Sequence, residues 1–167
     1  MKRHALTIIA VIALAILGAS ILPAVAASDS KTLPGIACKP STYDQPYHLE
    51  VGGIWNTTGE EQEYWCPILR DVMAGDADGV DDFWMRVYDR HPNANVRCTF
   101  YSRRSNGTLR ASSTRETAGY SSSPMLLDFP ALAREQDGFY YVRCFVPAFH
   151  SENGGSGILM YRVQEEE

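Results

Sequence analysis

An acidic stretch near the middle of the chain, AGDADGVDDFW (74–84), has the residue types and spacing of a cation site. Calcium takes several oxygen ligands that converge from a tight turn. Asp76, Asp78 and Asp82 offer three carboxylates around a glycine. We therefore predict calcium as the one candidate cofactor, with these three aspartates as its ligands.

The same stretch also has a simpler interpretation. An EF-hand register built on its Asp-Gly step puts Ala74 and Met85 where two main ligands belong. Asp and Gly tolerate turn geometry and stay hydrated, so a metal-free hairpin loop between strands near 62–69 and 83–89 would have this composition as well. Spacing alone leaves both alternatives open.

Motifs of catalysis are missing from the sequence. It contains neither the G-x-S-x-G elbow of a serine hydrolase nor the H-E-x-x-H of a zinc protease. A small hydrolase could still arise from dispersed carboxylates, because the two acids of a glycosidase need only meet in space. The candidates are Glu50, Glu60, Glu61, Glu63 and Asp128.

Aromatic and arginine side chains alternate with apolar residues on two predicted strands. Tyr141 and Arg143 do so on one strand, and Arg97 and Tyr101 on another. If the two strands are neighbours, one sheet face presents rings interleaved with guanidinium groups. Rings stack on flat ligands and sugars, and guanidinium groups hydrogen-bond to hydroxyls or carboxylates. We predict ligand contacts at these four residues, unless the N-terminal segment covers the face.

The cysteines form an even set, Cys38, Cys66, Cys98 and Cys144, which in an exported protein predicts two disulfides. The triplet Val-Arg-Cys occurs twice and puts Cys98 and Cys144 on the apolar faces of two strands. This favours a Cys98–Cys144 bridge and leaves Cys38 to pair with Cys66. The main alternative pairs Cys66 with Cys144, at the spacing of an immunoglobulin domain. No C-x-x-C pair is present, which makes zinc the lesser interpretation.

Short strands must position all of these residues. Almost every segment after Gly52 alternates with period two and ends at turn-forming residues. Eight such strands predict an all-β fold, an antiparallel two-sheet β-sandwich of the jelly-roll or immunoglobulin-like kind, stabilised by disulfides. The predicted strands lie near 52–57, 62–69, 83–89, 95–103, 108–116, 124–129, 139–147 and 157–164.

The first residues have the order of a secretory signal peptide over 1–26: a charged start, an apolar run and an Ala-Val-Ala cleavage site. A retained membrane anchor is the rival, since the apolar run reaches the lower length limit of a spanning helix. The short MKR start is typical of a bacterial export substrate. We expect a secreted or periplasmic protein with an N-terminal lead-in segment over 27–50 that begins with the flexible stretch SDSKTLPG (28–35), a single sandwich domain over 51–167, and no membrane contact after cleavage.

The charge balance narrows the choice of partners. The chain has 15 basic and 20 acidic side chains and a formal net charge of −5, without a basic cluster, which argues against nucleic acid or anionic lipid. The aromatic and arginine pattern favours a non-catalytic binding module for a glycan or another surface molecule, such as an extracellular protein. The alternatives are a structural or protein-interaction component of the cell envelope or extracellular matrix, and the small hydrolase.

Overall fold

Short β-strands make up nearly all regular structure in the computed structural model, which describes residues 29–42, 46–70, 80, 82–132 and 138–165. All eight predicted strands are present, with ends within two residues of the expected ones. No helix in this part of the chain is long and apolar enough to cross a membrane. The strands are β1 (Asp29–Pro34), β2 (Lys39–Pro40), β3 (Tyr47–Glu50), β4 (Gly53–Asn56), β5 (Gln62–Pro67), β6 (Asp82–Tyr88), β7 (Arg97–Arg103), β8 (Leu109–Glu116), β9 (Met125–Phe129), β10 (Phe139–Val146) and β11 (Gly157–Glu165).

The strands form two antiparallel sheets, which confirms the predicted sandwich. The six-stranded sheet has the order β3-β4-β11-β6-β9, and β1 also pairs with β11. The five-stranded sheet has the order β2-β5-β10-β7-β8. Each strand pairs with its neighbour in the antiparallel sense.

Side-chain alternation decides which positions reach the core between the sheets. On β10 every second residue from Tyr140 to Val146 is buried, and the residues between them point outward. Phe83 of β6 and Phe100 of β7 meet across the core with ring centroids 4.6 Å apart. Burial of an aromatic or aliphatic side chain of this kind stabilises a fold by about 1.5–3 kcal/mol.

The described part of segment 27–50 is not a lead-in outside the domain, because it adds three strands to the sheets, and its start at 29–34 is a strand where a flexible stretch was predicted. β1 pairs with β11 over its whole length, β2 pairs with β5, and β3 pairs with β4. Between β1 and β2, a Cβ at Gly35 would lie only 2.0 Å from the carbonyl oxygen of Ile158. The segment is therefore part of the sandwich, and residue 51 does not mark the start of the domain.

β5 and β6 do not form the hairpin that the simpler interpretation of the acidic stretch required. β5 belongs to the five-stranded sheet and β6 to the six-stranded sheet. The chain between them therefore crosses from one sheet to the other. Of the three predicted calcium ligands, Asp82 begins β6, whereas Asp76 and Asp78 lie outside the described residues.

The two disulfides are Cys38–Cys66 and Cys98–Cys144, the favoured pairing, so the Cys66–Cys144 alternative is wrong. Cys98 and Cys144 face each other in register on β7 and β10, and both are fully buried. Paired cysteines are typical of proteins that fold outside the reducing cytosol. Both bridges involve the five-stranded sheet.

Two buried phenol groups have hydrogen-bond partners inside the sandwich. The Tyr64 hydroxyl donates to Gln62 Oε1 over 2.5 Å, and the Tyr161 hydroxyl donates to the carbonyl of Pro67 over 2.8 Å, which connects the two sheets. Burial raises the pKa of both phenols, and Tyr47 adds to the shift at Tyr64. The unfolded chain releases these phenol protons more readily than the folded chain does. The two tyrosines therefore contribute their full stabilisation below about pH 10, and this stabilisation is lost as the pH rises further.

The side chain of Asn56 joins three chain segments at one end of the core. Its Nδ2 donates to the carbonyls of Glu60, Val146 and Pro147 at 2.8, 3.1 and 2.9 Å. Its Oδ1 accepts hydrogen bonds from the Thr58 amide and hydroxyl. Asn56 is fully buried, so its amide group takes the place of water for these carbonyls.

Asn56→Ala is expected to lower the free energy of unfolding by about 3 kcal/mol, because a buried carbonyl that loses its donor costs about 1–3 kcal/mol. The midpoint of thermal unfolding should fall by roughly 10 °C. Thr57→Ala alters the exposed neighbouring residue and should leave the midpoint unchanged. Equal midpoints for the two variants would show that Asn56 does not join these segments.

The β3–β4 hairpin turns through two residues, Val51 and Gly52, whose φ angles are +50° and +79°. Positive φ is unfavourable for a β-branched residue, and this turn geometry favours Asn-Gly. Val51→Asn is therefore expected to raise the free energy of unfolding by about 1 kcal/mol. Chemical denaturation measures this change, and a loss of stability on substitution would contradict it.

Candidate functional site

The four predicted ligand contacts share the outer face of the five-stranded sheet. β7 and β10 are neighbours, and Tyr101 lies directly opposite Tyr141 in their register. Arg97 and Arg143 occupy outward positions on the same two strands. The predicted surface required β7 and β10 to be neighbours, and they are. The N-terminal strand β1 lies on the other sheet and does not cover this face.

A row of aromatic rings crosses this face on three adjacent strands. Trp65 of β5 stacks on Tyr141 of β10 with centroids 5.0 Å apart and an interplanar angle of 6°. Tyr141 stacks in turn on Tyr101 of β7 at 4.9 Å and 15°. These spacings match the distance between neighbouring strands, so parallel rings on adjacent strands fall into offset stacks. We call Trp65, Tyr141 and Tyr101 the aromatic row.

The ends of the aromatic row differ in what covers their ring faces. Tyr141 lies between two rings, and the guanidinium carbons of Arg103 and Arg143 lie 5.7 and 5.5 Å from the centroid of Tyr101. Trp65 is 43% exposed and, among the described residues, has a ring neighbour on one side only. The indole of Trp65 is therefore the member of the row with a ring face free for a ligand.

Hydrogen bonds hold the row in place. Arg103 Nε donates to the Tyr141 hydroxyl at 2.8 Å, and a terminal nitrogen of Arg143 donates to the Tyr101 hydroxyl at 2.9 Å. Arg103 is itself fixed by a bond from its Nη1 to the carbonyl of Gly107 at 2.7 Å. Because these contacts restrict the side-chain rotamers, a ligand would meet surfaces that are already ordered.

Two shallow depressions flank Trp65. One has a volume of about 480 Å³ and runs past Trp65, Tyr141 and Phe139, whose ring is also exposed. The other has a volume of about 460 Å³ and lies between Trp65 and the residues Tyr47 and Leu49 of β3. Trp65 thus forms a wall common to both depressions, and the surface is a groove that is open to solvent.

Sequence reasoning missed Trp65, although a signal for it was present. Gln62, Tyr64 and Cys66 are the buried members of β5, so period two directs Trp65 outward. Because Trp65 is far from β7 and β10 in the sequence, alternation alone could not show that it lies beside Tyr141. Only the sheet order β5-β10-β7 brings the three rings together.

Three of the five carboxylates named for the hydrolase alternative lie on different strands. Glu50 lies on β3 and Asp128 on β9, which are the opposite edges of the six-stranded sheet. Glu63 lies on the other sheet, where it accepts a hydrogen bond from the indole of Trp65. Among the described residues, no group of three or more His, Cys, Asp or Glu side chains could hold a metal ion. Calcium at the acidic stretch stays a prediction.

A second aromatic cluster lies on the six-stranded sheet, beside a depression of about 420 Å³. Trp55 and Tyr88 are 5.0 Å apart, and Arg90 lies 5.5 and 5.3 Å from their ring centres. The Trp55 ring packs so closely on Gly157 that a Cβ there would approach it to 2.8 Å. This packing indicates a structural role for Trp55, whereas Phe149 on the same depression is 45% exposed.

No family model matches the chain, and no curated protein matches its sequence. Solved structures with a similar fold include a family two carbohydrate esterase from Cellvibrio japonicus, at 5% identity and a TM-score of 0.50 over 84% of this chain. The chain spans 36% of that esterase. The CBM36-1 domain of a multidomain xylanase from the hindgut metagenome of Trinervitermes trinervoides gives 14% identity and a TM-score of 0.49, covering 81% of this chain and 96% of that one. A low-affinity xylan-binding module from Roseburia intestinalis gives 13% identity and a TM-score of 0.46, covering 82% and 96%. Likeness at these identities concerns the fold.

Proposed function

We propose that this chain is a non-catalytic module that binds a glycan on the outer face of its five-stranded sheet. The observation that carries the proposal is the half-exposed indole of Trp65 at the open end of the aromatic row. An aromatic ring of this kind offers a large, rigid and apolar surface at low entropic cost. The apolar face of a sugar ring fits such a surface.

The surroundings of Trp65 supply the polar half of sugar recognition. Arg143 lies opposite Trp65 in the register of β5 and β10, and Lys39 lies opposite it in the register of β2 and β5. Their N–H groups can donate to hydroxyl oxygens of a sugar whose ring lies against the indole. The open groove along Trp65, Tyr141 and Phe139 suits a chain that continues beyond the bound unit.

A glycan ligand agrees with an exported protein. The signal-peptide pattern over 1–26 lies outside the described residues, but the two disulfides favour an oxidising compartment. Polysaccharides are plentiful outside the cell. We therefore place the module in the periplasm or outside the cell.

The test is affinity electrophoresis of the purified, oxidised protein through gels that contain soluble polysaccharides, neutral and acidic. At least one polysaccharide should retard the protein, and calorimetry on that polysaccharide should give a saturable isotherm. Trp65→Ala should lose the retardation, while Phe149→Ala, which alters the depression on the other sheet, should keep it. If no polysaccharide retards a folded protein, the proposal is wrong and a protein-interaction role takes its place.

A further inference from the structure

The outer face of the five-stranded sheet carries an excess of positive charge, whereas the whole protein is negatively charged. The chain carries a formal net charge of −5. The outward positions that are paired in register with one another carry more cations than carboxylates. The cations are Lys39, Arg97, Arg103 and Arg143, and the carboxylates are Glu63 and Glu116. An acidic protein with a locally cationic surface attracts anions to that surface.

Among the described residues, Arg97, Arg103 and Arg143 form no salt bridge, although Glu116 lies opposite Arg97 in the register of β7 and β8. Arg97 lies 5.0 Å from the ring centre of Phe145, and Arg143 lies 5.3 Å from the same ring. Arg143 Nε is buried without a hydrogen-bond partner. Stacking on a ring uses the flat side of a guanidinium group and leaves its in-plane N–H donors available. Arg97, which is exposed, thus presents in-plane donors with the geometry that carboxylates accept in pairs. Arg143 Nε is buried and one terminal nitrogen of Arg143 is bonded to Tyr101, so Arg143 contributes mainly its charge.

We propose that the glycan is an acidic polysaccharide whose uronic acid carboxylates pair with Arg97, beside the positive charge of Arg143. This inference rests on the proposed function and adds the chemical class of the ligand. Arg97 and Arg103 stand at the two ends of β7, roughly 20 Å apart at the rise of a strand. Cations spread over such a length suit repeated charges along a polymer better than a single small acid.

The experiment compares polygalacturonate with the same polymer after reduction of its carboxyl groups, so that only the charge differs. Calorimetry on the purified protein should show at least tenfold tighter binding of the acidic polymer, and added salt should narrow this gap. Arg97→Gln should weaken binding of the acidic polymer about fivefold and leave the reduced polymer unaffected. Arg97 makes no side-chain hydrogen bond within the described residues, so the variant should fold normally.

Arg86→Gln is the matched control, because Arg86 is an exposed arginine on the six-stranded sheet and its loss changes the net charge equally. Equal binding of both polymers, without salt dependence, would overturn the acidic specificity and leave glycan binding intact. Failure of both polymers, together with every other glycan, would overturn both proposals. Tighter binding of a sulfated polymer of matched charge density would keep the anionic class and overturn the choice of carboxylate.

Discussion

Trp65→Ala is expected to weaken glycan binding by about thirtyfold, equivalent to about 2 kcal/mol, the usual effect of losing a central tryptophan from a binding surface. The variant removes the open ring at the end of the aromatic row and the wall between two depressions. Calorimetry on the best polysaccharide measures the loss. Trp65→Phe retains a ring and should recover part of the affinity.

Two controls separate loss of the ligand surface from loss of the fold. Trp65 is 43% exposed, so the midpoint of thermal unfolding of Trp65→Ala should stay within a few degrees of the parent. Phe149→Ala removes a ring of similar exposure, 45%, from the depression beside the six-stranded sheet and should bind normally. If Phe149→Ala loses affinity and Trp65→Ala does not, the ligand lies on the six-stranded sheet.

Replacing Cys98 and Cys144 together by alanine is expected to lower the free energy of unfolding by about 4 kcal/mol. The bridge closes a sequence separation of 46 residues, and its loss restores chain entropy to the unfolded state. Denaturant unfolding measures the difference. Removing Cys38 and Cys66 should cost slightly less, about 3.5 kcal/mol, because the separation is 28 residues.

The same variant also tests the division between core and ligand face. Cys144 points inward from β10, whereas its neighbours Arg143 and Phe145 point outward. At a temperature where the double alanine variant is folded, its glycan affinity should therefore match that of the parent. An unchanged unfolding midpoint would show that the bridge does not stabilise the native fold, and a loss of affinity in a folded variant would show that it shapes the ligand face.

Period-two alternation predicted the fold because the strands after Gly52, apart from the exposed edge strand β8, bury one side against the core. It also predicted the Cys98–Cys144 bridge, since two inward cysteines on neighbouring strands lie close enough to join. The same rule could not find β1, whose residues Asp-Ser-Lys-Thr-Leu-Pro have no apolar alternation. This strand is held chiefly by backbone pairing with β11, and backbone hydrogen bonds leave no trace in residue type.

Order within the sheets was the information that alternation lacked. Alternation predicted both β5 and β6 as strands. Because they are consecutive in the sequence, a hairpin was expected, yet they lie in different sheets. For the same reason Tyr101, Tyr141, Arg97 and Arg143 were found as outward residues, while Trp65 was not joined to them. Alternation assigns a side of a strand, and only the pairing of distant strands assigns a neighbour.

The antiparallel pairing of β1 with β11 has a mechanical consequence. Asp29 lies opposite Glu165, so the outer ends of the two strands emerge side by side. A pulling force applied to these ends would break the hydrogen bonds between the two strands one at a time. This requires far less force than sliding the strands past each other, which breaks many bonds at once. The chain between Cys98 and Cys144, by contrast, cannot lengthen under load while its bridge is intact. Under tension the sandwich should therefore release β1 first and keep its ligand-bearing sheet folded longest.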